Sequence, residues 1–351
     1  MERSNRSILF IIVIVCSIVA FLAFYPSGPD NRDAIYAELK SLKAQIQDRN
    51  HHTSNDFSLY LNNIARWQHS IVLALRTVDG LPLNFLNSSW NGVPKLEGWF
   101  ERYSQGGWET DTFNVYRRFI DPDDVVVDFG AWIGVTALYA GRLSRNVYAL
   151  EPDPVAFEYM AANLYINPDL HERVRIEQTC IWIESQTKDF YLHEKAGSGS
   201  SLVVPIGKKV TLSCLTLRDW FITKQLDRID FIKMDTEGAE EMLIPTLPDF
   251  FRSLPHVPDL WLSIHHTFWK NPNQTLAFVS ALRSTFRACY WESKNRTVDF
   301  ASFGEDIRKC PLCAILCTNI EHHKIKWEID LGKGLNSNPT FLLNTLYPAK
   351  I

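Results

Sequence analysis

The sequence lacks an excess of basic residues. Lys and Arg number 36 against 40 Asp and Glu in 351 residues, a formal net charge of −4. No local basic stripe compensates, which excludes the electrostatic footprint of a nucleic-acid binder. The glycine period of collagen is missing, and seven cysteines are too sparse for a small disulfide scaffold. Nor is the chain short of apolar residues, as a disordered segment is: 46% are hydrophobic and 13% aromatic. No internal repeat or low-complexity tract interrupts it. What remains is a chain long enough for one large domain or two ordinary ones, with a substantial core.

The apolar residues are unevenly spread. From Ile8 to Tyr25 the chain reads ILFIIVIVCSIVAFLAFY, without a charge. As a helix this block spans roughly 27 Å, a little under the usual hydrocarbon thickness. Arg3 and Arg6 precede it, and Asp30, Arg32 and Asp33 follow. The positive-inside rule then sets residues 1–7 in the cytosol and the body across the membrane, as in a single-pass type II protein. The alternative, a cleaved signal peptide, needs a shorter apolar region, and no well-placed small-x-small pair precedes Pro26. The short span suits the thin endoplasmic reticulum or Golgi membrane.

Two further features agree with a luminal body. Downstream of the apolar block, Asn-x-Ser/Thr sequons begin at Asn87, Asn273 and Asn295. Cys180, Cys214, Cys289, Cys310, Cys313 and Cys317 would face an oxidising lumen, and sequence alone does not choose among their pairings. Zinc is the other reading of Cys310, Cys313 and Cys317 with His322 and His323. There is no matching second half-site, and Ala314-Ile315-Leu316 is an apolar run between ligands. A buried strand with one local disulfide is the expectation there, and no metal is predicted.

The domain reading is a tail over 1–7, a membrane anchor over 8–25, a stem over 26–79 and a catalytic-type domain over 80–351. Ile35, Leu39, Leu42 and Ile46 form one apolar helix face in the stem. Two heptads are too few for a stable coiled coil and leave at most a weak dimer through the stem. Residues 80–107, rich in Gly, Pro, Asn and Trp, read as irregular connections.

From Trp108 onward strands alternate with helices. Strands are expected at Val125–Val127, Asn146–Leu150, Val174–Glu177, Ile229–Met234 and Leu260–Ile264, with helices at Val135–Leu143 and Pro154–Ile166. Such alternation predicts an α/β fold with a doubly wound, mostly parallel sheet.

The first strand ends in Asp128-Phe-Gly130-Ala-Trp-Ile-Gly134 directly before a helix. Glycines there permit a tight turn and a close backbone approach to a ligand. The second strand ends in Glu151-Pro152, an acid placed to accept hydrogen bonds from ribose hydroxyls. A dinucleotide dehydrogenase uses the same elements but prefers three glycines, and only two are present. Further on, Ile-Lys-Met-Asp235-Thr-Glu237-Gly238-Ala-Glu240 sets two carboxylates at a strand's C-terminal edge, and Leu-Ser-Ile-His265 ends the next strand.

With Glu109-Thr110 before the first strand, Glu151-Pro-Asp-Pro and Gly197-Ser-Gly-Ser-Ser-Leu202, these blocks resemble the FkbM family of S-adenosylmethionine-dependent O-methyltransferases, a Rossmann-like class I methyltransferase fold. The likeness runs over roughly residues 108–300. Trp132 stands where the family often has Asn, which reshapes the cofactor rim. The resemblance implies that Gly130 and Gly134 shape the loop around the methionine part of S-adenosylmethionine, with Asp128 and Glu109 near its amino group. It places Glu151 on the ribose, Cys180 and Ile181 beside the adenine, and Asp235, Glu237 and His265 around the methyl and the acceptor hydroxyl.

His265 is the first choice of base, because a free imidazole is partly neutral near luminal pH. Asp235 with Glu237 leaves a divalent cation open without predicting one. Blander readings stand beside these. His265 and His266, adjacent on a strand, point to opposite faces, and one can be structural. Glu237 and Glu240 can cap and solvate a helix start. Trp90, Trp99, Trp108, Trp220, Trp261 and Trp269 are read mostly as core or loop anchors. The functional expectation is O-methylation of a glycan or other hydroxyl-bearing acceptor in the secretory pathway. The rival is a non-catalytic membrane protein of FkbM type that acts in trafficking or export of a partner.

Overall fold

The computed structural model describes residues 73–78, 81–86, 109–193, 199–269, 272–291, 296–310 and 313–320. The predicted tail, membrane span and helical stem face, together with Asn87, Asn295, Trp90, Trp99, Trp108, His322 and His323, lie outside these residues. Among the described residues no helix is long and apolar enough to cross a membrane.

A hairpin, β1 (Leu73–Val78) and β2 (Leu81–Leu86), opens the described chain. Then follow α1 (Thr110–Phe119), β3 (Val125–Phe129), α2 (Val135–Leu143), β4 (Asn146–Leu150), α3 (Pro154–Tyr165) and β5 (Val174–Glu177). A three-stranded unit comes next, β6 (Cys180–Ile181), β7 (Gln186–Leu192) and β8 (Lys208–Leu215), and then α4 (Leu217–Thr223). The chain re-enters the main sheet with β9 (Phe231–Met234), α5 (Glu240–Leu243), α6 (Pro248–Ser253), β10 (Asp259–Ile264), α7 (Pro272–Thr285) and β11 (Ala288–Trp291). It closes with β12 (Arg296–Thr297), α8 (Phe303–Arg308) and β13 (Cys313–Thr318).

The main sheet has the order β12-β11-β13-β10-β9-β3-β4-β5. Strands β10, β9, β3, β4 and β5 are parallel, while β13 runs antiparallel between β10 and β11. This is a mixed α/β, Rossmann-like fold. All five residues of β3 are buried, as a β-branched run covered on both faces requires. Val126 packs in one core with Tyr116, Tyr139 and Trp261, whereas Val127 faces the other with Trp220, Ile232 and Phe250. The chain moves outward from β3 through β4 to β5, then returns to β9 on the other side of β3. That reversal opens a crevice at the C-terminal ends of β3 and β9, where ligands bind in open α/β sheets.

The structure corrects several expectations. Part of the segment read as irregular is β2, whose Leu83 and Phe85 are fully buried. Asn84 and Asn167 exchange side-chain-to-backbone hydrogen bonds at 2.8–2.9 Å, tying β2 to the residues after α3. The division at residue 80 therefore cuts through a hairpin whose second strand belongs to the body. The local disulfide expected among Cys310, Cys313 and Cys317 is replaced for Cys317 by a bridge to Cys289, its partner across β11 and β13. A second bridge joins Cys180 to Cys214 across β6 and β8, so Cys180 is in a strand rather than a loop.

Candidate active site

Gly130 ends β3 with φ +82°, a conformation glycine adopts without strain. Its backbone N–H donates to Leu150 O at 3.0 Å, and a Cβ there would lie 1.9 Å from Asp235 O. The glycine loop and the Asp235 segment thus touch backbone to backbone, which no larger residue allows. Gly130→Ala is expected to destabilise the fold by more than about 1 kcal/mol, read as a lowered thermal midpoint. Gly134 (φ +87°) differs from expectation: a Cβ there would meet Met160 Cγ at 2.8 Å. It serves the packing of α2 on α3 and does not face the cavity.

A cavity of about 630 Å³ opens over this loop, within the usual range for small-molecule sites. Glu109, Gly130, Trp132, Glu151, Ile181, Asp235, Glu237 and His265 all line it. Asp128 and Cys180 are buried and are not among the residues that line it. Cys180 is held in its disulfide. Asp128 is fully buried and accepts from Thr136 Oγ1 at 2.6 Å.

Lys233, absent from the sequence-based site, is what Asp128 faces. Its Nζ lies 3.4 Å from Asp128 Oδ1 and 3.4 Å from Asp235 Oδ2, and donates to Gly130 O at 3.1 Å. Burial disfavours its charge, but Asp128, Asp235 and Glu109 outweigh that and hold the ammonium protonated well above its ordinary range. A lysine inside an otherwise apolar buried strand, Phe231–Met234, was the signal in the sequence. Glu109 begins α1 in the left-handed region (φ +53°) and accepts from Thr112. Burial and then the charge of Asp235 raise its carboxyl.

Glu151 accepts from Trp132 N at 2.7 Å and from Asp153 N at 2.8 Å, one donor on each oxygen. Each oxygen keeps a second lone pair for a ligand hydroxyl. Burial pushes the carboxyl up to about 8 against those two donors. Trp132, at φ +51°, joins the loop to Glu151 through its backbone and lines the cavity. Asp153 caps α3, accepting from Val155 N and Ala156 N, and its other oxygen takes Ser200 Oγ–H at 2.6 Å. Ser201 Oγ donates to Glu237 O at 2.8 Å. The serines of the Gly197–Leu202 motif therefore tie the Glu151 turn to the Glu237 segment. An Asp-Pro pair after a strand is an N-cap signal, but only the fold reveals its serine partner.

The third group gathers where β9 and β10 end. Glu237 has φ +53°, followed by Gly238 at +101°. The buried Glu240 carboxylate organises this turn, accepting from Thr236 N at 2.8 Å, Thr236 Oγ1 at 3.0 Å and Gly238 N at 3.1 Å. The solvated helix cap considered for Glu240 is thereby corrected: its side chain is fully inside. Glu240 also bonds His265 Nδ1 at 3.1 Å. His265 Nε2 then faces Asp235 Oδ1 at 3.5 Å and Glu237 Oε2 at 3.6 Å.

Strand β10 stops at Ile264, so the two histidines do not alternate on a strand; His266 begins a short 3-10 turn. Burial pulls the His265 imidazole down, but the Glu240 hydrogen bond and the charges of Glu240, Asp235 and Glu237 overcome it and raise it to about 9. The neutral base expected at this position is corrected to an imidazolium. Glu237 is lifted to about 7, by burial against the pull of His265. Burial, then Arg308, lowers His266. Trp220 and Trp261 are core residues, and Trp261 also borders the cavity while donating to Thr112 Oγ1 at 2.9 Å.

The switch-point crevice thus combines a glycine loop on one strand, a buried acid on the next and a carboxylate–imidazole cluster opposite. The family model described as methyltransferase FkbM domain matches residues 124–289, just under half of the chain. An uncharacterized protein of Methanocaldococcus jannaschii is 39% identical over 54 residues, 15% of this chain and 21% of that one. The chain thus matches about a fifth of that relative's length. Among solved structures, methyltransferase FkbM from Methylobacillus flagellatus is 16% identical, with a TM-score of 0.36 over 58% of this chain and 49% of that one. The SAM-dependent methyltransferase from Agrobacterium tumefaciens is 12% identical, with a TM-score of 0.38 over 71% and 70%.

Proposed function

We propose that the protein is an S-adenosylmethionine-dependent O-methyltransferase acting on a hydroxyl of a glycan in the secretory pathway, held at the Golgi or endoplasmic reticulum membrane by residues 8–25. The observation that carries the enzymatic reading is the convergence of Gly130, Glu151 and the Asp235–Glu237–His265 cluster on one cavity. The donor set fits the cofactor: an acidic cavity complements a cation, and a buried carboxylate with free lone pairs suits a ribose diol. S-adenosylmethionine supplies a methyl carbon on positive sulfur. The chain's residues align the acceptor oxygen and take its proton. Glu237 is the proton acceptor in this reading, because its carboxylate faces the same point of the cavity as Asp235 and His265. The imidazolium of His265, pinned by Glu240, keeps the two cavity carboxylates together.

The compartment rests on different support. Disulfides Cys180–Cys214 and Cys289–Cys317 suit an oxidising lumen, and the Asn273 sequon is exposed on α7. Calorimetry with S-adenosylmethionine tests the cofactor reading. Absence of binding at near-millimolar cofactor would favour the non-catalytic trafficking reading instead.

Glu151 makes the binding pH-dependent with a definite sign. Its carboxyl, raised to about 8 by burial, must ionise to accept both ribose hydroxyls. Affinity should therefore fall as pH drops from 8 to 6, by up to about tenfold per unit, and level off above 8. A Glu151→Gln variant should bind more weakly and show a flat profile. Wild-type affinity independent of pH would remove Glu151 from the ribose.

A further inference from the structure

We propose that Asp235, Glu237 and His265 form a binding site for one divalent cation of the manganese class, an inference that rests on the methyltransferase reading of the same cavity. The three side chains each present one ligand atom, all within 4.8 Å of one another. They come from the ends of adjacent parallel strands, so the sheet holds their spacing.

The distances favour an ion over direct pairing. His265 Nε2 stands 3.5 and 3.6 Å from the two carboxylate oxygens, too far for good hydrogen bonds. Ligands about 2.0–2.2 Å from an ion stand about 3.0–3.6 Å apart for right-angled to tetrahedral arrangements. The imidazole side chain is only 9% exposed, yet Nε2 makes no hydrogen bond among the described residues and is aimed into the cavity.

The surroundings resemble a metal site's supporting shell. Glu240 takes the other ring nitrogen at 3.1 Å and fixes the ring, so that an ion bound at Nε2 displaces the proton there and takes its lone pair, with Glu240 behind it as carboxylates stand behind metal-ligating histidines. The left-handed backbone at Glu237, anchored by Ser201 and followed by Gly238, presents its carboxylate to the same point. Two carboxylates with one imidazole is too poor in oxygen for calcium and poorer in imidazole than the histidine-rich catalytic zinc sites. Manganese accepts both ligand types and keeps open positions. Those positions suit two neighbouring oxygens of an acceptor, such as a vicinal diol of a sugar. Each carboxylate contributes one oxygen to the ion, which leaves the second oxygen of Glu237 for the acceptor's proton.

The test is titration of the chelator-treated full-length protein with manganese, followed by the loss of the free ion's electron paramagnetic resonance signal. One equivalent should bind. Asp235→Asn should weaken binding at least tenfold, and Glu240→Gln, which touches no ion, by about 10- to 100-fold. Circular dichroism melting of each variant separates a lost ligand from a lost fold. No binding to wild type, or equal affinity in folded Asp235→Asn, would overturn the site. Calorimetry with S-adenosylmethionine in chelator separates the two ideas. Cofactor binding without any manganese binding sinks the ion alone, whereas manganese binding without cofactor binding sinks the methyltransferase reading.

Discussion

Replacing Lys233 by methionine should destabilise the protein by about 3–5 kcal/mol, because it leaves a buried carboxylate without its counter-charge. The side chains of Lys233 and Asp128 are 4% and 0% exposed, so water cannot take the place of either partner. Burial alone already raises the Asp128 carboxyl, and Lys233 is the largest influence lowering it again. The substitution also removes the donor to Gly130 O and so loosens the loop that meets Asp235. Denaturant unfolding at neutral pH, followed by tryptophan fluorescence, measures the loss. The double variant Lys233→Met/Asp128→Asn should be less destabilised than Lys233→Met alone, since no uncompensated charge remains. A single-variant cost below about 1 kcal/mol would mean that the ion pair is not what holds these strand ends together.

The second large effect is on turnover. His265→Ala should lower the rate of methyl transfer by about 10²- to 10⁴-fold, because Glu237, the proton acceptor, loses the group that holds it in place beside Asp235. S-adenosylmethionine affinity should be unchanged, because the glycine loop and Glu151 keep all their partners in this variant. The assay is transfer of labelled methyl from S-adenosylmethionine to glycans released from the secretory pathway, with mass spectrometry for a single methyl increment. Full turnover in His265→Ala would remove the imidazole from the chemistry. Equal loss of cofactor affinity and rate would make it a binding residue instead.

Much of the fold was legible in local pattern. Val135–Leu143, Asn146–Leu150 and Val174–Glu177 appear at the residues where the apolar spacing and turn chemistry put them. Each has one dominant local signal: helical spacing after a glycine turn, or a β-branched run bounded by polar turns. The hairpin Leu73–Leu86 was missed because its second strand is held by packing on α2 and α3. The short β6, the disulfide partner on β8 and the antiparallel pairing of β13, itself expected as a buried strand, likewise depend on distant strands, which no window of neighbouring residues reports.

The candidate site divides along the same line. Acids and glycines at strand ends were visible, because strand ends and turn residues are local. Their partners were not. Asp128 and Lys233 are separated by 105 positions, and Glu240 and His265 by 25. Local pattern alone placed the parallel strands β3, β4, β5, β9 and β10 in order, the glycine turn after β3, and the carboxylates and histidine that follow the ends of β4, β9 and β10. Only the tertiary structure decided that Asp128 turns inward to a buried lysine while Glu151 turns to the cavity. It also decided that three carboxylates converge on one imidazole and keep it charged. Local propensity governs where a strand stops, whereas charge state depends on which groups the fold brings within a few ångströms in the absence of water.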